Sequence, residues 1–160
     1  MRKLIVLLTL VLSGIVAVPA AQADSPHFIS ASASVDNSTG VLTCNFKEAG
    51  LANAGGTADI TCSASATVVY QCFNNGGQHP KAGNKETVHA NVSGSGTFPV
   101  RNGQTTGSVT VQPPGPGDFT CPSGQTRFLQ SVEYDNVVVS GQGASENLGS
   151  FGPVTLHIPA

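Results

Sequence analysis

The chain has 160 residues, 7 basic against 9 acidic, and only 10% of its positions are charged. That is well below the roughly one quarter typical of soluble domains, and no Lys/Arg cluster exists to neutralise phosphates or an anionic membrane surface. Nucleic acid is therefore disfavoured as a partner, and the polar surface must come from Ser, Thr, Asn, Gln and Gly.

Residues 1–23 have the layout of a secretory signal. Arg2 and Lys3 form a positive start, and Leu4 to Val18 is apolar except at Thr9, Ser13 and Gly14. Pro19 can end a helix, and Ala21-Gln22-Ala23 supplies the small-x-small pattern of a cleavage site. The apolar run is shorter than the ~20 residues a membrane span needs. Cleavage is expected before Asp24, leaving one domain over 24–160 with five basic residues against nine acidic, a net charge of −4. No cysteine sits at the cleavage site, no Arg-Arg pair precedes the apolar run, and no apolar tail with a basic stop closes the chain. The expected product is secreted and extracellular, with no stable membrane anchor.

In the remainder, hydrophobic alternation with a period of two residues dominates. Ile29, Ala31, Ala33 and Val35 alternate with serines, and Leu42, Cys44 and Phe46 alternate with Thr43 and Asn45. Lys47–Ala54 is the one stretch that suits a helical turn. Residues 58–72 give the clearest signal: Ala58, Ile60, Cys62, Ala64, Ala66, Val68, Tyr70 and Cys72 fall on one face, as in a half-buried strand. Such length predicts a bend, or a strand shared between two sheets.

Val88, Ala90 and Val92 continue the pattern, then Val109 and Val111 around Thr110. Phe128, Val132, Tyr134 and Val138 are expected on one face, as are Val154, Leu156 and Ile158. Turns are expected at Asp36-Asn37-Ser38-Thr39-Gly40, at Gly94-Ser95-Gly96 and at Asn102-Gly103, the last being the strongest short hairpin signal. The prediction is all-β: an antiparallel, immunoglobulin-like β-sandwich. Without tryptophan, the cysteine–tryptophan core of an antibody domain cannot form.

Four cysteines, Cys44, Cys62, Cys72 and Cys121, in an exported chain read as two disulfides. Spacing alone leaves three connectivities open; Cys44–Cys62 with Cys72–Cys121 is favoured. Zinc-type CxxC spacing is absent. If Cys72 bonds Cys121, the connections Phe73 to Asn84 and Gln112 to Gly124 meet at one end, where loops on a rigid scaffold commonly form binding surfaces.

No catalytic motif emerges, and no metal or cofactor is implied. His27, His79, His89 and His157 show no HxH or HExxH spacing, with His89 and His157 expected to point outward. No GxSxG elbow occurs, and Gly94-Ser95-Gly96 lacks the following lysine of a phosphate loop. Glu133 and Asp135, with Arg127 on the same parity, form the one carboxylate pair that suggests glycoside hydrolysis. The favoured reading is a non-catalytic binding module for a small molecule, a glycan or a protein, with Asn75, His79 and Phe119 as candidate contacts. A polysaccharide hydrolase and a structural envelope or spore-coat component are the alternatives.

The segments Phe46-Lys47-Glu48-Ala49-Gly50-Leu51, Tyr70-Gln71-Cys72-Phe73-Asn74-Asn75-Gly76-Gly77, Pro80-Lys81-Ala82-Gly83-Asn84-Lys85 and Cys121-Pro122-Ser123-Gly124-Gln125 carry a resemblance to small exported proteins of actinobacteria with no assigned function. Ser95-Gly96-Thr97-Phe98 and Asn102-Gly103-Gln104 extend it over most of the chain after residue 23. The resemblance implies a single β domain and supports pairing Cys72 with Cys121. It implies no catalytic residue.

Overall fold

The computed structural model describes residues 25–52, 56–74 and 84–160; the signal-like segment, Asn75 and His79 lie outside them. Seven strands follow in order: β1 (His27–Val35), β2 (Leu42–Ala49), β3 (Thr57–Asn74), β4 (Lys85–Pro99), β5 (Thr105–Val111), β6 (Gln125–Ser140) and β7 (Ser145–Pro159). They form a three-stranded sheet, β1-β2-β5, and a four-stranded sheet, β4-β3-β6-β7, with every neighbour antiparallel. The inner faces pack on one another, β1 against β7 and β5 against β4, around a single core. The expected antiparallel all-β architecture is thus observed.

β3 forms the floor of this core. Its eight inward positions, Ala58 through Cys72, are all buried, as the alternation predicts. It stays in one sheet throughout rather than passing between two, pairing with β4 from Thr57 to Gln71 and with β6 from Thr61 to Asn74. Cys44 and Cys62 are bonded and link β2 of one sheet to β3 of the other through the core. Cys72 and Cys121 are bonded at the opposite end of β3 from Thr57.

β6 departs from the expected phase. Each of its two register shifts against β3 admits one extra β6 residue, Gln130 in one case and Asn136 in the other. Asn136 has a positive φ of 51°. Each bulge reverses the inward parity, as one unpaired residue must. Leu129 is buried, then Val132 and Tyr134, then Val137 and Val139. Phe128 and Val138 therefore do not share a face with Val132 and Tyr134. A similar shift in β1 leaves Ile29 half-exposed, and Phe28 packs on the core in its place.

Gly94-Ser95-Gly96 is not a turn but lies within β4. Glycine serves close approach here: a Cβ on Gly94 would sit 2.1 Å from the Thr110 carbonyl oxygen of β5. The expected helical turn over Lys47–Ala54 is likewise absent from its described part, since β2 runs on to Ala49. The other two turns form where expected. Asn102 and Gly103, with φ of 51° and 70°, join β4 to β5 as a type I′ pair requires. The Asp36 carboxylate accepts bonds from the Ser38 amide and hydroxyl and the Thr39 amide. The Tyr134 hydroxyl crosses the core to donate to the Gly40 carbonyl at 2.7 Å. Burial, chiefly, pushes its ionisation up to about 12.

Candidate functional site

The connection from Gln112 to Gly124 contains no strand or helix, only two turns. Three ties hold it. Tyr70 donates its hydroxyl to the Pro114 carbonyl at 2.7 Å, Arg127 donates Nη1 to the Phe119 carbonyl at 2.6 Å, and Cys121 bonds Cys72. The Arg127 Nε also donates to the carbonyl of Ala160, so one guanidinium links the connection to the end of the chain. Phe119 is half-buried and packs on the core. The second connection leaves and rejoins at this same end: the Cys72 amide donates to the Asn84 carbonyl, and the Asn84 side chain donates to Gln125. The structure thus places Phe119 at the disulfide end; Asn75 and His79 lie outside the described residues.

An aromatic group that the expected phase of β6 concealed lies beside this end, on the outer face of the four-stranded sheet. His157 stacks on Phe128 at 4.1 Å and 15°, and Phe73 meets both rings edge-on at 4.8 and 5.3 Å. His157 is exposed, Phe128 half-buried and Phe73 buried. The Gln130 amide lies 3.1 Å from His157 Nδ1. A strand-by-strand search for bulges could have found this group, because His157 was already expected to point outward.

Glu133 and Asp135 share the outer face of β6, opposite Thr67 and Ser65. Arg127 does not join them: the bulge at Gln130 turns it under the pinned connection. The neighbouring surface is a ladder of hydroxyl, amide and imidazole pairs, Thr61–Ser95, Ser65–Asn91 and Thr67–His89. A hollow of about 390 Å³ lies among Ser63, Ser65, Asn91, Ser93 and Asn136, and neither carboxylate lines it.

The far end of the sandwich carries an unexpected acid. Glu48 is fully buried on the inward parity of Leu42, Cys44 and Phe46. Its Oε1 accepts from the Gln142 amide at 3.0 Å, and its Oε2 has no partner. Burial raises its proton affinity, opposed by the Gln142 bond. Extending the alternation past Phe46 would have revealed it; the helical reading of Lys47–Ala54 hid it. Beside it, Lys47, Pro99, Arg101, Gln104, Thr105 and Thr106 line a hollow of about 450 Å³.

Among the described residues, no group of three or more His, Cys, Asp or Glu could hold a metal ion, and no helix is long and apolar enough to cross a membrane. No family model, curated protein or solved structure matches the chain.

Proposed function

We propose that the protein is an exported, non-catalytic binding module that engages a small molecule, a glycan or a protein through its Cys72–Cys121 end. The carrying observation is the triple anchoring of the Gln112–Gly124 connection. Connections longer than about 12–15 residues without secondary structure are uncommon in compact domains and usually functional or disordered, and the one from Gln112 to Gly124 reaches that range. Pinning this one lowers the entropy lost when a ligand orders it. The adjacent His157–Phe128 stack adds an aromatic surface with a polar tip, a combination enriched at interfaces.

Two further features support the wider reading. Two disulfides suit an oxidising compartment, in keeping with the secretory layout of residues 1–23. The strand order supports an immunoglobulin-like topology, with β1-β2-β5 facing β3-β6-β7 and β4 added at the second sheet's edge. The hydrolase reading gains no comparable support, since Glu133 and Asp135 stand on an open sheet face. The test is a thermal-shift screen of the oxidised 24–160 protein against neutral sugars, neutral oligosaccharides and small metabolites without an anionic group. A ligand found there should lose its shift when Asn75, His79 and Phe119 are replaced together by alanine. A ligand that stabilises the triple variant as well as the wild type refutes the loop assignment.

A further inference from the structure

The hollow beside the Asn102-Gly103 turn lies at the other end of the molecule and has a different chemistry. Five basic residues follow residue 23, and two of them, Lys47 and Arg101, line this one cavity. None of its lining residues is acidic. The adjacent carboxylate, Glu48, lies on the opposite parity of β2 and is buried inside the sandwich. Among the described residues neither cation is held in an ion pair, whereas Arg127 is engaged by two carbonyls.

The frame around the cations is rigid. Arg101 and Gln104 exchange both backbone hydrogen bonds, at 2.8 and 3.0 Å, across the Asn102-Gly103 turn. The Leu51 amide holds that turn by donating to the Gly103 carbonyl at 3.0 Å. Lys47 lies directly across from Thr106 in the β2–β5 register. The Thr105 and Thr106 hydroxyls donate inward to the carbonyls of Pro99 and Phe46. Donors for a ligand are therefore the Lys47 ammonium, the Arg101 guanidinium and the Gln104 amide. The Pro99 ring and the threonine methyls leave an apolar wall.

We infer that this hollow is a second binding site, selective for a small organic oxyanion of about sugar size. A guanidinium offers paired donors to a carboxylate or phosphate, and an ammonium adds a point charge. The volume of about 450 Å³ lies within the range of small-molecule sites. The net charge of −4 after residue 23 acts against an extended polyanion, so the ligand carries one anionic group on a compact body.

The experiment is an amide chemical-shift titration of the oxidised 24–160 protein with glucuronate, glucose 6-phosphate and, as a neutral control, glucose. Glucuronate or glucose 6-phosphate should move the amides of Lys47 and of Arg101 through Thr106, while glucose does not. The preferred anion identifies carboxylate or phosphate as the recognised group. Lys47→Gln and Arg101→Gln should each weaken that binding about tenfold or more, the usual effect of losing a charged hydrogen-bond partner. Both side chains are solvent-accessible, and wild-type melting of the variants serves as the folding control. The inference is overturned if neither anion moves these amides, if glucose moves them equally, or if the double variant binds as the wild type does.

Discussion

Replacing Gly94 by alanine tests the close approach of β4 to β5. The added methyl would lie 2.1 Å from the Thr110 carbonyl oxygen and 3.3 Å from the Val109 side chain. The nearer contact is with backbone, which cannot rotate aside as a side-chain end could. Overpacking costs about 1–3 kcal/mol, and the backbone contact puts this case near the upper limit. Alanine regains roughly 0.4–1 kcal/mol by restricting the unfolded chain. The net loss is about 2 kcal/mol, or roughly 6–10 °C of melting temperature for a domain of this size. Gly115→Ala is the control, since nothing lies within 4 Å of its new Cβ and it has no positive φ. Circular dichroism melts of both variants decide the matter. Equal melting temperatures would refute the argument that Gly94 is there for closeness.

Glu48→Gln should change how stability responds to pH. Burial raises the folded-state value above the ordinary 4.5. Below that pH both states are protonated; above it the unfolded chain releases its proton first, so stability falls as pH rises toward the folded value. The variant lacks this fall, so its melting temperature should gain on the wild type between pH 4 and pH 7, and a pH-independent difference would contradict the assignment. Tyr134→Phe removes the bond to Gly40 and should cost about 1–3 kcal/mol in urea unfolding; a change below roughly 0.5 kcal/mol, within the scatter of surface substitutions, would exclude an anchoring role. In the chain-entropy model, opening Cys72–Cys121, with a separation of 49, loses about 4 kcal/mol, against about 3 for Cys44–Cys62, with a separation of 18. Amide exchange should also quicken across residues 112–124 in the Cys72/Cys121 variant alone; unchanged exchange there would show that Tyr70 and Arg127 suffice.

The parts of the fold legible in the sequence are those where one local rule acts alone. Uninterrupted alternation from Ala58 to Cys72 gives the inward face of β3, and Asn102-Gly103 gives the turn from β4 to β5 because few other pairs accept two positive φ angles. The bulges at Gln130 and Asn136 are set by pairing with β3, so a reading confined to β6 keeps one phase and misplaces Phe128, Val138 and Arg127. Gly94 looks like a turn residue because close approach to β5, seen only with the facing sheet in place, selects the same residue type, while Gly96 makes room for the Phe98 ring of its own strand. The pinned end was partly visible through its cysteines and its Pro/Gly-rich connection. The Lys47–Arg101 hollow was not, because its two cations are 54 positions apart and meet only through the β2–β5 register.

The central claim is that ligand meets protein at the Cys72–Cys121 end. It is tested most directly by amide chemical-shift mapping of the oxidised protein with the strongest ligand from the thermal-shift screen. The account predicts perturbations concentrated between Pro114 and Gln125 and around Phe73, Phe128 and His157, with the ligand recovered chemically unchanged. Perturbations centred on Glu133 and Asp135, accompanied by hydrolysed ligand, would contradict it.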